Sequence, residues 1–268
     1  MASSKISTSR NMKKFILIFV LVFLYSLGIL LFAPPTHVDL DQSFCPPRDL
    51  SHPLGCDRLG RDHFALLSYG SVLTIIVALP ARLLTLVFAF GISLIASYLP
   101  KFFKDLVDSF SSVFLSLPSL LIALIIISIL EGSYFSFLLS ITASDWASVY
   151  ETLQVKIKEI LESNFVQISK NLGATNYYIF KRHVFPEIKY LLVNLFLTGI
   201  PSVIMTVSIF SYLGVDFGTE IFGPGLGEQI SFSKDFVHIS PLSVFIPVIG
   251  IILLILSLHL AFKSNSKF

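Results

Sequence analysis

Long apolar runs separated by short polar stretches are the feature that most constrains this sequence. The runs cover residues 15–32, 72–98, 111–130, 134–150, 191–212 and 241–262. A helix needs about 20 mostly apolar residues to cross the hydrocarbon core of a membrane, and most of these runs approach that length. Only 13% of the residues are charged, whereas soluble domains carry about 25%. We therefore predict an all-α membrane protein with about six transmembrane helices.

The first run has two interpretations, a signal peptide or a membrane helix. Its apolar core is longer than the roughly 7 to 15 residues of a signal peptide, and no clear small-x-small cleavage site follows, so we predict an uncleaved helix. The predicted organisation is a cytoplasmic amino terminus and first helix at 1–33, an external loop at 34–71, a core of five helices at 72–262 and a cytoplasmic tail at 263–268.

The distribution of positive charge predicts the orientation. If the amino terminus is cytoplasmic, most of the 19 Lys and Arg residues fall in inside segments, which places both termini in the cytoplasm. The net charge of +2 is small, and no basic stripe with interleaved aromatic residues occurs, so nucleic acid is excluded as a partner. The lipid membrane is the predicted environment.

Two charges stand inside apolar runs. Arg82 lies in the second run, and Asp145 lies in the short fourth run, which is therefore predicted to line protein or water rather than lipid. We expect the two side chains to pair structurally or to reach a membrane boundary, with contact to a substrate as the alternative.

The motifs of common enzymes are absent from the sequence. Gly55 and Gly60 have phosphate-loop spacing, but Arg61 and Asp62 follow where Lys and Ser or Thr are required. No nucleophile elbow or His-Glu-x-x-His helix occurs. We predict neither catalytic residues nor a cofactor on this chain.

The external loop carries both cysteines, Cys45 and Cys56. They form a disulfide if the loop faces an oxidising compartment, and two unpaired thiols are the alternative. The loop also holds His37, His52 and His63. These residues could belong to a zinc or nickel site, or they could be ordinary loop residues that bind no metal. Without a Cys-x-x-Cys or His-x-x-x-His pair, we predict no metal site.

The longest predicted cytoplasmic connection, 151–189, contains a broken amphipathic pattern. Apolar residues recur at helical spacing before Gly173 and again after it. The residues are Phe165, Ile168 and Leu172, then Ile179, Val184 and Phe185. This pattern predicts two short helices that break at Gly173 and present an apolar face to a partner, with Pro186 starting the next segment.

Segment 160–187 resembles the coupling loop of ABC importer permeases, in which Glu-Ala-Ala is followed by a glycine and a closing Pro. The matching positions are Gln167, Ile168, Ser169, Leu172, Gly173, Ala174, Arg182 and Pro186, with Gln167-Ile168-Ser169 in place of Glu-Ala-Ala. The tracts around Gly173 and Pro186 are especially similar to the dipeptide, oligopeptide and nickel importers. The resemblance implies that this loop docks on a cytoplasmic ATPase.

A second resemblance lies in the external loop, before the second helix. The residues that carry it are His52, Pro53, Gly55, Asp57, Gly60, Arg61 and Asp62, with Cys56 in place of the family's Thr. Asp57, Arg58, Arg61 and Asp62 are expected to pair within a compact turn or to cap the following helix. Segment 210–215, glycines 223–227 and Trp146 are similar to the same family, whereas Glu151 and Gln154 replace its arginines.

The resemblance implies a bacterial inner-membrane permease for peptides or nickel. Its expected partners are a second permease, two ATP-binding subunits and an extracytoplasmic binding protein. An ATP-independent transporter or channel is one alternative, and a structural permease partner that has lost coupling is another.

Overall fold

The computed structural model describes residues 27–47, 52–130, 133–215 and 219–263, and the regular elements within these ranges are helical. The α-helices are α1 (His63–Tyr98), α2 (Lys101–Ser116), α3 (Ser119–Ile129), α4 (Tyr134–Glu162), α5 (Asn164–Asn171), α6 (Asn176–Ile179), α7 (Phe185–Tyr212), α8 (Thr219–Phe222), α9 (Leu226–Ser233) and α10 (Pro241–Lys263). Short 3-10 turns lie at Leu40–Gln42 and Lys234–Phe236, and a π-helical turn lies at Phe180–Val184.

Three stretches of the described chain are long and apolar enough to cross a membrane: His63–Tyr98, Asn176–Tyr212 and Pro241–His259. They contain the predicted runs at 72–98 and 191–212 and most of the run at 241–262. The predicted first helix at 15–32 falls largely outside the described residues, where only 27–31 are seen as helix. The count of six therefore stays a prediction.

The predicted membrane segment at 111–130 is broken in the structure, and whether it crosses the membrane stays a prediction. The chain there forms α2 and α3, which meet at an angle of 97° and are long and apolar enough to cross a membrane only when taken together. Pro118 explains the break, because a proline disfavours helical geometry in the residue before it. Leu117 is accordingly extended, with φ −103° and ψ 144°.

The fourth predicted run also differs, because α4 continues to Glu162 instead of ending near residue 150. Its second half keeps an apolar face, and Leu153, Ile157 and Ile160 are buried there. Burial of that face stabilises the extra turns, which carry the helix into the predicted coupling loop.

The chain divides into two compact units. Unit 1 comprises residues 1–79, 132–134 and 200–268, and unit 2 comprises 80–131 and 135–199. The core of unit 2 holds Trp146, Tyr150 and Leu153 of α4 together with Ile179 and Ile188. Trp146 contacts the rings of Phe88, Phe110, Phe114 and Tyr150, with centroids 5.5–6.0 Å apart.

A proline inside α1 frees one backbone acceptor in unit 1. Pro80 has no N–H, so the carbonyl of Ile76 lacks its helical donor. The hydroxyl of Tyr134 donates to this oxygen at 3.1 Å. The carbonyl that Pro80 deprives of its helical donor therefore has a partner, which is the condition for a proline within an apolar helix.

The external loop of unit 1 is closed by a disulfide between Cys45 and Cys56. Backbone bonds support the same closure, since Asp39 N–H donates to Leu59 O at 2.9 Å and Phe44 N–H donates to Asp57 O at 2.9 Å. Gly60 has a φ of +74°, and a Cβ there would lie 1.8 Å from the Asp39 carbonyl oxygen, so this crossing requires glycine. The disulfide and these backbone hydrogen bonds therefore make the loop compact immediately before α1.

This disulfide provides a test of both the pairing and the orientation of the chain, which has only these two cysteines. We expect a membrane-impermeant maleimide to label intact cells only after treatment with an impermeant phosphine, because the sulfurs are bonded and the loop is predicted to face outward. The double Cys45→Ser, Cys56→Ser variant is the control for background labelling. Labelling without reduction would contradict the disulfide, and labelling only after permeabilisation would contradict the orientation.

Candidate functional site

The segment predicted to be the coupling loop (residues 160–187), for which that name is kept below, is built from α5, a tight turn and α6, followed by the π-helical turn that enters α7. Gly173 sits at the break with a φ of +86°, a conformation that glycine adopts without strain. Thr175 begins α6 by accepting a hydrogen bond from Tyr178 N–H at 3.3 Å. The predicted break between two short helices is therefore present at Gly173.

One side of the coupling loop is an exposed apolar row, which we define as Phe165, Ile168, Leu172 and Tyr177. Their exposed fractions are 51%, 59%, 84% and 71%. The first three were predicted from their helical spacing to face a partner. Leaving four large apolar side chains open to water on a short surface element is unfavourable unless another surface covers them.

The other side of the coupling loop anchors it to unit 2. Val166, Ile179 and Val184 are at most 1% exposed and belong to the unit's core. The expectation that Ile179 and Val184 join the partner-facing surface is therefore wrong. The π-helical turn changes the register after Ile179 and turns Val184 inward.

The remaining predicted loop residues lie around this row. Gln167 is exposed and donates from Nε2 to Leu161 O at 3.0 Å, and the Ser169 hydroxyl donates to Phe165 O at 2.8 Å. Arg182 is exposed, while Ala174 and Pro186 are partly buried. A neutral amide and a hydroxyl thus occupy the places of the family's Glu and Ala.

The two positions that replace family arginines have internal partners in unit 2. Gln154 is buried and donates from Nε2 to Ser93 O of α1 at 2.8 Å. Glu151 accepts a hydrogen bond from the Ser111 hydroxyl of α2 at 2.8 Å. Both side chains join α4 to its neighbours.

The outer turn (residues 52–62) in unit 1 is organised by Asp57, which is 5% exposed. Its Oδ1 accepts from the N–H groups of Leu59 and Arg61 at 2.9 and 2.8 Å. Its Oδ2 accepts from the Arg61 guanidinium, with Nη2 at 2.7 Å and Nε at 2.8 Å. Gly55 turns the chain with a φ of +78°. The expected internal pairing is present.

Asp62 caps α1. Its Oδ1 accepts from Phe64 N–H at 2.8 Å and from Ala65 N–H at 2.9 Å, which satisfies two donors at the start of the helix. Its Oδ2 lies 3.2 Å from His52 Nδ1, and Pro53 beside His52 is exposed. The outer turn thereby fixes where α1 begins.

Cys45, His52 and Cys56 bring possible metal-ligand atoms within 4.8 Å of one another. Both sulfurs are bonded in the disulfide, so neither supplies the thiolate that zinc or nickel requires. The arrangement does not fit a metal centre.

Sequence reasoning missed the contacts that the outer turn and the first residues of α1 make with segment 224–243 of unit 1. Gln229 of α9 donates from Nε2 to Leu66 O and Pro224 O, at 2.8 and 2.9 Å. The Arg58 guanidinium lies over the rings of Phe232 and Phe236, 5.6 and 5.4 Å from their centroids. The sequence analysis placed glycines in segment 223–227 but gave no sign of these contacts.

The predicted pairing of the two intramembrane charges is confirmed. Arg82 Nη1 lies 2.6 Å from Asp145 Oδ2, and the two side chains are 5% and 32% exposed. Each charge could be singled out because it interrupts an apolar run. The sequence could not show that the two lie opposite each other, because they are 63 residues apart on different helices.

Comparison with known proteins identifies relatives among transporters. The dipeptide transport system permease protein DppC of Alkalihalophilus pseudofirmus is 26% identical over 209 residues, covering 78% of this chain and 68% of that protein. DppC of Haemophilus influenzae is 25% identical over 77% of this chain and 70% of its own length. The oligopeptide transport system permease protein OppC of Bacillus subtilis is 24% identical over 63% of this chain and 55% of its own length. The matches therefore cover 55–70% of the lengths of these relatives.

A solved structure has the same fold. The inward-facing MetNI methionine ABC transporter matches with a TM-score of 0.59 at 14% identity, over 75% of this chain and 94% of the solved one. This similarity confirms the predicted all-α membrane fold of the importer-permease type. A family model described as binding-protein-dependent transport system inner membrane component matches residues 88–265. The chain thus belongs to the family of inner membrane components of binding-protein-dependent transport systems, which are transporter permease subunits.

Proposed function

We propose that this chain is the translocation subunit of an ABC importer and that its coupling loop receives the motion of a separate ATP-hydrolysing subunit. The observation that carries the proposal is the exposed apolar row on a loop that the core of unit 2 holds in place. Hydrolysis of ATP belongs to the partner, because the sequence of this chain has no phosphate-binding loop.

The charge and shape of the coupling loop support a protein partner of this kind. The exposed row is short, so it fits a groove rather than a flat surface. Exposed Lys170, Lys181 and Arg182 surround it, and such charges at a rim steer association while the apolar centre supplies affinity. Gln167, Ile168, Ser169 and Leu172 lie on or beside this row.

The substrate class is inferred from the relatives. Proteins named as dipeptide and oligopeptide permeases share most of this chain's length at 24–26% identity. We infer that the substrate is a short peptide delivered by an external binding protein and that a second permease completes the path. The outer turn, with His52 and Pro53 at its surface, is the proposed site where the path opens to the outside.

The proposed location is the bacterial inner membrane, with both termini in the cytoplasm. The positive residues of the coupling loop support this orientation, since cytoplasmic segments carry an excess of Lys and Arg. The disulfide in the external loop supports this orientation as well, because disulfides persist in oxidising compartments.

The first test is recovery of the partners with the tagged chain in mild detergent, compared between Leu172→Ser and Leu40→Ser. Both leucines are well exposed, at 84% and 67%, but only Leu172 lies on the coupling loop. Loss of one buried leucine contact costs about 1.5–3 kcal/mol, so we expect ATPase affinity to fall about tenfold or more for Leu172→Ser alone. Mass spectrometry, titration with the ATPase and an ATPase assay provide the measurements.

Equal ATPase recovery by both leucine variants would contradict docking through the coupling loop. If the wild-type chain co-purifies with no ATP-hydrolysing subunit in several detergents and shows no ATPase activity, the importer proposal fails. The ATP-independent and structural-partner alternatives would then be favoured.

A second prediction concerns the break at Gly173. A β-branched residue is strained at φ +86°, so Gly173→Val should distort the turn and uncouple ATP hydrolysis from peptide uptake while membrane insertion stays intact. Gly214→Val is the matched control, because Gly214 has a φ of +85° and, like Gly173, has open space around its added Cβ. Peptide uptake per ATP in reconstituted vesicles is the measurement, and a normal ratio for Gly173→Val would refute the coupling role.

A further inference from the structure

Arg82 bonds to two helices at once within unit 2. Its Nη1 donates to Asp145 Oδ2 of α4 at 2.6 Å. Its Nη2 and Nε donate to the Leu195 carbonyl oxygen of α7 at 2.6 and 3.2 Å. We call Arg82, Asp145 and the Leu195 carbonyl the clamp. A planar guanidinium can hold both acceptors because its donors point in fixed, divergent directions.

The Arg82 guanidinium occupies space that is available because residue 199 is a glycine. Gly199 lies one helical turn after Leu195, and a Cβ at Gly199 would lie 2.0 Å from Arg82 Cζ and 2.1 Å from Nη2. No side chain fits there while the guanidinium stays in place. An unpaired charge among these apolar helices would be unfavourable, so the arginine and its acceptors depend on each other.

The two helices that the clamp joins are those that frame the coupling loop. Helix α4 runs into the loop and ends at Glu162, and α7 leaves it from Phe185. Asp145 and Leu195 lie roughly 15–25 Å along their helices from these ends, at 1.5 Å per residue. Nearer the loop, the bond from Gln154 to Ser93 O ties α4 to α1 again. The loop and the clamp belong to the same compact unit.

We propose that Arg82 is a positioning residue that makes α1, α4 and α7 move as one body when the coupling loop is displaced. Without the clamp, α4 and α7 slide past each other, and movement of the loop is lost before it reaches α1. This inference rests on the proposed function, since it requires a partner that moves the loop. Arg82 contacts neither nucleotide nor substrate in this role.

A simple stabilising pair and a clamp differ in what Arg82→Lys should do. Lysine keeps the charge beside Asp145, but its single ammonium does not reproduce the fork to the Leu195 carbonyl. If Arg82 and Asp145 only neutralise each other's charge, the Arg82→Lys variant keeps that interaction, and peptide uptake per ATP should stay normal. If Arg82 acts as a clamp, Arg82→Lys breaks its bond to the Leu195 carbonyl of α7. We then expect peptide uptake per ATP to fall about tenfold, while assembly with the ATPase stays at the wild-type level.

Gly199→Ala provides an independent test through the space that the guanidinium occupies. The added methyl group displaces Arg82 and should lower the same ratio by a similar factor. Gly91→Ala in α1 is the matched control, because nothing lies within 4 Å of its added Cβ. The double Arg82→Met, Asp145→Asn variant removes the clamp without leaving a buried charge, and it should also uncouple. It keeps the test usable if a single variant fails to assemble.

All ratios are measured on the reconstituted complex, with equal amounts of assembled transporter. A lower ratio for Arg82→Lys, Gly199→Ala and the double variant, with Gly91→Ala unchanged, supports the clamp. A normal ratio in assembled Arg82→Lys and double-variant complexes overturns it, even if their melting temperatures are lower. Failure of the proposed function is a separate result, because the wild-type chain would then show no ATP-driven uptake.

Discussion

The structure depends on one constraint, that polar groups placed among apolar helices must find partners inside the protein. Water is absent from the hydrocarbon core, so an unsatisfied carbonyl or charge there costs several kcal/mol. The described chain meets this constraint at two places where a helix is interrupted or a charge lies among apolar helices. Tyr134 donates to the carbonyl that Pro80 frees, and the Leu195 carbonyl and Asp145 share the charge of Arg82. Such groups fix the register between helices more narrowly than apolar packing does, because a hydrogen bond tolerates less displacement than a contact between leucines.

The same constraint explains which features could be predicted from the sequence. The apolar runs indicated helices because a run of that length has no other way to satisfy its backbone. Gly173 and the spacing of Phe165, Ile168 and Leu172 indicated the broken loop with its exposed row, since both signals are local. The capping role of Asp62 was local as well. Each of these predictions depends on residues that are near one another in the chain.

The features that escaped prediction depend on partners that are distant in sequence. Gln154 was noted as a departure from a family pattern, but its bond to Ser93 O cannot be derived from periodicity, which indicates burial and not the identity of the neighbour. The bond from Gln229 to Leu66 O is a similar case.

The bend at Pro118 was missed for another reason. Hydropathy remains high across it, so a composition window shows one run where the backbone forms two helices at 97°.

A loop that transmits force needs both a surface to receive it and a rigid route to carry it away. The coupling loop has both kinds of side chain on its two sides, since Leu172 is open to a partner while Val166, Ile179 and Val184 are packed into the core. Apolar packing alone resists separation of helices well but resists sliding poorly, because it has little directionality. Directional bonds at Gln154 and at Arg82 supply that resistance along α4. The pairing of buried Arg82 with partly exposed Asp145 is therefore explained better by control of helix register than by stability, because apolar residues of similar size often stabilise a protein as well as an ion pair does.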